Sequence, residues 1–149
     1  MNVGRATLND LPAILEYSRQ AFARSVTYQA TGYNEVIWAN TLRGVFRDSA
    51  TMPVFIARRA GKVCGLLVGM KLPMPWSAGF CATDLVFVAD AGGDRLLRLF
   101  LAWCKQQRIR RIDMSVSDTS ANAERIGALY ERAGFSRAGG AYYRIEASP

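Results

Sequence analysis

Apolar positions recur along this chain with two periods, and the switches between them mark its elements. Residues 3–8 predict a first strand. Asn9 then stands where a cap would open a helix with Leu11, Ile14, Leu15, Ser18 and Phe22 on one face and Pro12 in its first turn. A polar connection over 29–33 precedes a second helix over 34–47, with Trp38, Leu42, Val45 and Phe46 turned inward. Residues 53–57 and 63–70 are β-rich runs whose separation, over 58–62, suits an antiparallel hairpin. Pro73 and Pro75 remove ladder donors, so 72–77 reads as a loop that ends the strand before it.

The second half repeats a strand-helix unit. Residues 80–88 predict a long strand, and 95–107 a helix with Leu97, Phe100, Leu101 and Cys104 on one face, widened by Leu96, Leu99 and Trp103. A strand follows over 109–116. A last helix carries Ile126, Leu129, Tyr130 and Ala133 at three- and four-residue spacing and stops at Gly134 in a left-handed cap, before Phe135 opens a further strand. Residues 141–145 could add one more. The crossover from 80 to 134 calls for two parallel strands, expected to part at their C-terminal ends beside Gly92, while the hairpin makes the sheet mixed. The expected fold class is α/β (α+β), one domain over 1–149, its mixed central sheet splayed between the fourth and fifth strands and flanked by about four helices.

Composition narrows the chemistry. A chain of 149 residues, 50% hydrophobic, can bury one core without staples. No apolar run approaches the roughly 18 residues of a membrane span, and the first residues do not lead into a signal-peptide core, so the cytoplasm is the default expectation. Cys64, Cys81 and Cys104 are odd in number and widely spaced in apolar contexts, which suggests reduced core thiols. The absence of histidine removes Ser-His and Cys-His nucleophilic sites and most zinc sites, so no metal is expected. The net charge of +7 favours anionic, phosphorylated partners. Its densest cluster, Lys105, Arg108, Arg110 and Arg111, suits the end of a helix dipole, and no recognition helix, zinc pattern or aromatic-basic strand points to nucleic acid.

The Leu129-Tyr130-Glu131-x-x-Gly134-Phe135 ending resembles the last core motif of the GNAT (Gcn5-related) N-acetyltransferases, and the element order resembles their fold over nearly the whole chain. From residue 63 onward, Gly65-Leu66-Leu67-Val68-Gly69-Met70, the Pro-x-Pro-Trp loop and Asp84-Leu85-Val86-Phe87-Val88 are similar to small acetyltransferase-like proteins of some tailed phages. The resemblance implies an amine, of a small molecule or a protein, attacking acetyl-CoA directly, with no metal and no covalent enzyme intermediate. A homodimer is compatible with it.

It also implies roles for particular residues. The thioester and pantetheine arm would lie along Val86, Phe87 and Val88, and the pyrophosphate at the helix start around Gly92, Gly93, Asp94 and Arg95. Tyr130 would protonate the departing thiolate, Asp84 would activate the amine, and Asn122 would contact the cofactor. Read from the residues alone, Tyr130 is a packed core ring whose hydroxyl finds a partner, and Asp84 could equally be an exposed strand carboxylate. The loop Ala89-Asp90-Ala91-Gly92-Gly93-Asp94-Arg95 departs from the family pattern, being shorter, lacking an arginine or glutamine at its first position, and carrying Asp94 beside the intended phosphate. Two functions follow: an N-acetyltransferase that binds acetyl-CoA weakly, or a degenerate domain with a structural or protein-interaction role, phage-associated in one version.

Overall fold

The first strand, β1 (Asn2–Arg5), stops short of the predicted residue 8 because Thr7 closes a 3-10 turn over Leu8–Asp10. The Thr7 N–H donates to Asp10 Oδ2 at 2.7 Å, and the Asp10 N–H returns to the Thr7 carbonyl at 3.0 Å. Asn9 therefore lies inside the turn rather than capping, and α1 (Leu11–Ala23) starts after Asp10. The computed structural model describes residues 1–116 and 122–139, without the side chains of Val26, Thr27 and Asn122. The strand expected over 141–145 lies outside the described residues.

Helix α1 buries Leu11, Ile14, Ser18 and Phe22 as its spacing predicts, and Tyr17 with them. Instead of a polar connection there is a short helix, α2 (Val26–Thr31). Its β-branched and polar residues have little helical preference, so tertiary contact decides the segment. Helix α3 (Glu35–Arg47) begins where Asn34 Oδ1 accepts the N–H groups of Val36 and Ile37. Trp38 Nε1 donates to the buried Ser18 hydroxyl at 3.0 Å, fastening α3 to α1.

Strands β2 (Val54–Arg59) and β3 (Lys62–Pro73) form the expected hairpin through Ala60 and Gly61, both with positive φ, the geometry of a two-residue turn. β3 then continues through Pro73 instead of ending before Leu72. Pro73 is tolerated because it pairs at the far end of the ladder with β4 (Phe80–Ala89), beyond the reach of β2, where no neighbour on the other side needs its missing donor. Helix α4 (Gly93–Gln106) starts two residues earlier than its apolar spacing suggests. Its Phe100 lies so close to β3 that a Cβ on Gly69 would be 2.4 Å from the ring. β5 is limited to Arg111–Asp113, and α5 (Asn122–Arg132) follows.

The five strands of the described residues run in the order β1-β2-β3-β4-β5, antiparallel except for the parallel β4–β5 pair. One face carries a core from α1 and α3, with Ile14, Leu42, Ile56, Leu66 and Val86. The other carries α4 and α5, with Phe55, Leu67, Leu97, Phe100 and Tyr130. Cys64, Cys81 and Cys104 are free thiols, of which only Cys104 is fully in a core; Cys64 and Cys81 are half-buried. No helix among the described residues is long and apolar enough to cross a membrane.

Candidate active site at the split in the sheet

The site is made by one extra residue. Gly69 of β3 faces Asp84 while the preceding Val68 faces Val86, so Leu85 has no partner and β4 bulges there. A bulge bends its strand and inverts the alternation of faces. Before it, Ala82 belongs to the α4 side; after it, Phe87 and Ala89 do, and Val86 and Val88 turn to the α1 and α3 side. β5 pairs with Cys81, Ala82 and Thr83 and then leaves, so the parallel strands part at the bulge as expected. The predicted strand over 109–116 is thus too long. Its apolar residues promise a ladder, but beyond Asp113 the bent β4 offers no edge to pair with.

Among the described residues, the part of β4 beyond the bulge keeps one free side. Asp90 donates its N–H to the Cys64 carbonyl at 2.9 Å, so by alternation Val88 and Val86 also direct their main-chain groups to β3. Phe87 and Ala89 direct theirs into the opening. Of the three residues placed there by resemblance, the ladder turns only Phe87 outward, and it adds Ala89.

Helix α4 begins at the end of this strand. Gly92 is left-handed, with φ of 78°, and a Cβ on it would stand 2.8 Å from Met1 Sδ and 3.0 Å from the Ala57 Cβ. Gly93, by contrast, would direct a Cβ toward Phe87 and Leu129, at 3.7 and 3.9 Å. Arg95 and Leu96 donate their N–H groups to the Gly92 carbonyl, leaving Gly93 and Asp94 at the open first turn. The turn itself is held by Tyr17, whose hydroxyl accepts the Asp90 N–H at 3.2 Å, and by Arg24, paired with the Asp90 carboxylate at 3.0 Å. Asp94 pairs with Arg98, and the Arg95 guanidinium reaches the Met1 carbonyl. Asn122 opens α5, and its side chain lies outside the described residues.

At the inner end of the opening, Ser115 joins the two candidate catalytic groups. Its carbonyl accepts the Tyr130 hydroxyl at 3.2 Å, and its N–H donates to Asp84 Oδ1 at 3.4 Å. Tyr130 is held by a helix end that the sequence announces: the Phe135 N–H donates to the Tyr130 carbonyl and the Gly134 N–H to the Glu131 carbonyl, with Phe135 against the Tyr130 ring at 5.6 Å. Phe135 thus serves as a cap contact and opens no strand over 135–139, and Ala133 is exposed. Burial, and after it the Asp84 charge, push the Tyr130 phenol far above its ordinary value, so it is protonated at neutral pH. Burial also raises the Asp84 carboxyl, an effect the Ser115 N–H partly offsets. Ser115, Ala89 and Leu85 escape sequence reading, since their roles depend on which strand stays paired.

Two hollows flank the sheet. One, of about 520 Å³, reaches the bulge at Leu85 and Val86 and is walled by α1, α2 and α3. The other, of about 480 Å³, lies at the opposite edge of the sheet, where β1 meets the last turn of α3, with Arg5, Arg43 and Arg47 in its wall.

No family model matches the chain, and no curated protein matches it in sequence. Solved structures match it in fold. A ribosomal-protein-alanine N-acetyltransferase from Brucella melitensis aligns with a TM-score of 0.69 at 14% identity, over 99% of this chain and 100% of that one. An aminoglycoside 6'-N-acetyltransferase from Acinetobacter haemolyticus aligns with a TM-score of 0.72 at 12% identity, over 100% of both. An aminoglycoside acetyltransferase from an uncultured soil metagenomic sample, solved with sisomicin, aligns at 0.69 and 16% identity over 97% and 96%. The chain has the GNAT fold.

Proposed function

We propose that the chain is an acetyl-CoA-dependent N-acetyltransferase acting on a primary amine. One observation carries the reading: the free main-chain side of Phe87 and Ala89 runs from the open first turn of α4 to the Asp84–Ser115–Tyr130 group. The fold neighbours are named for acetyl transfer to amines, on aminoglycosides and on ribosomal-protein alanine, which supports the same acceptor chemistry.

The residues fit the co-substrate unevenly. Phe87 and Ala89 offer an amide-bearing arm the hydrogen bonds that a fifth strand would take, and the Gly93 and Asp94 N–H groups face a pyrophosphate with the helix dipole behind them. Against this, the Asp94 carboxylate repels phosphate, and the Arg95 guanidinium is engaged at Met1. In the reaction Asp84 takes a proton from the ammonium form of the acceptor. The N–C bond forms, the C–S bond breaks, and Tyr130 gives its hydroxyl proton to the sulfur. The second proton of the nitrogen restores Tyr130, so one proton remains on Asp84 and passes to solvent.

Asp94 also favours a second reading, a domain that keeps the fold for contact with other proteins and no longer binds the co-substrate. Calorimetric titration with acetyl-CoA separates the two. The enzyme reading expects saturable binding, about ten-fold to several thousand-fold weaker than with an intact phosphate loop, since one or two charge-assisted contacts are missing. No binding at millimolar acetyl-CoA would leave the second reading.

A further inference from the structure

The hollow that reaches the bulge differs from the rest of the surface in what lines it. Phe22, Tyr28, Tyr33 and Trp38 form its wall, and Leu85 and Val86 its inner end. The Tyr28, Tyr33 and Trp38 rings all stand around Phe22, with centroids 4.3, 5.4 and 5.7 Å from it. At about 520 Å³ it falls within the range of small-molecule sites. Among the described residues no charged residue lines it.

Charge reaches it from two acids. Glu35 follows Asn34 at the rim, but Arg19 holds it at 2.6 Å, so its charge is already met. Asp84 stands next to Leu85 on β4 and forms no ion pair among the described residues. Its field is felt at the Tyr28 phenol, which burial first and then Asp84 push upward. The hollow thus combines aromatic faces, which attract a cation and an apolar body, with one carboxylate beside its inner end that has no ion-pair partner among the described residues. A second or third ammonium entering it would lose its water and find no counter-charge. Tyr33 Oη is buried without a partner among the described residues, a cost that a polar atom on the occupant would remove.

We infer that the acceptor is a small monoamine with an aromatic or compact apolar body, seated among these rings with its amine toward Asp84, and that polycationic amines such as aminoglycosides are excluded. This rests on the acetyltransferase reading for its chemistry, but the pocket is testable without it.

The test uses 2-phenylethylamine, spermidine and sisomicin as probes. Each is titrated calorimetrically into the protein, and each is then offered with acetyl-CoA while thiol release is followed. The expected result is binding of 2-phenylethylamine alone, with kcat/KM about 100-fold or more above that of either polyamine, the scale by which unpaired charge in a site discriminates. Ile37→Arg, at an exposed rim position that leaves the core intact, should raise KM for 2-phenylethylamine about tenfold or more while acetyl-CoA affinity changes little. Binding of spermidine or sisomicin at least as tight as 2-phenylethylamine, or no heat from 2-phenylethylamine, overturns the inference. Binding of 2-phenylethylamine by a protein that fails to bind acetyl-CoA sustains the pocket and sinks the transferase.

Discussion

The two parts of β4 share a strand, a neighbour in β3 and a similar apolar composition, yet only one has a ladder on each side. Residues 81–83 are flanked by β3 and β5; among the described residues, 86–89 are flanked by β3 alone, and their other side faces α4, Tyr130 and the opening. Leu85 separates them. The lesson is that the binding surface proposed here would come from main-chain groups that a bulge withdraws from pairing, so side-chain identity along 86–88 says little about it. That explains why a loop poorer in phosphate-binding features than the family pattern still accompanies an intact opening.

The sharpest way to break the contrast is to remove its cause. Deleting Leu85 would restore a regular register with the faces unchanged, because Val86 would follow Asp84 directly and stay on the α1 side, while the straightened strand would offer β5 an edge along residues 86–89. The core should stay folded by urea unfolding, while acetyl-CoA binding in calorimetric titration should be lost as the opening closes. Unchanged acetyl-CoA binding by a folded deletion variant would mean that the bulge does not hold the strands apart.

Changes at the inner end should act on rate with the fold intact. Tyr130→Phe keeps the ring against Phe87 and Phe135 and removes only the proton donated to Ser115 or to sulfur. Acetyl transfer to a saturating amine should fall about 100 to 10,000-fold with acetyl-CoA affinity little changed. An unchanged rate, with chemistry limiting, would reduce Tyr130 to packing.

Asp84→Asn separates activity from stability. The folded protein holds this carboxyl above its ordinary value because burial disfavours the anion, so the native state binds the extra proton and ionisation of Asp84 costs stability as pH rises above the carboxylate range. Asp84→Asn should therefore raise Tm at pH 7, each 1 kcal/mol of relief being worth roughly 2–4 °C in a chain of this size, and the gain should vanish below about pH 4. Transfer should fall by a factor comparable to that for Tyr130→Phe. A lower Tm at pH 7 would show that the Ser115 contact outweighs burial.

The smallest expected effect lies at the phosphate end. Asp94→Asn removes an exposed carboxylate from the first turn of α4 and should tighten acetyl-CoA about two- to tenfold at low salt, the gain shrinking as salt screens it.

Much of this was legible beforehand, and the legible parts share a cause. The α1 and α3 faces, the β2–β3 turn and the Gly134–Phe135 cap are written in spacings of three to six residues, where local geometry decides. The bulge at Leu85, the early end of β5 and the outward turn of Ala89 depend on register between distant segments, and no local pattern encodes them. Proline at residue 73 misled because its penalty depends on whether a second strand lies alongside, which it does not. The aromatic wall escaped for the same reason: Phe22, Tyr28, Tyr33 and Trp38 come from three helices and the connection between two of them, and only tertiary packing gathers them.

The most direct test of the account is to watch the β4 amides while acetyl-CoA is added to the isotopically labelled protein. The account predicts that the N–H resonances of Phe87, Ala89, Gly93 and Asp94 shift and become protected from exchange, while those of Cys81, Ala82 and Thr83 hold still between their two neighbours. Saturable shifts that instead gather at Arg5, Arg43 and Arg47, or are spread without distinction between the two parts of β4, would contradict it.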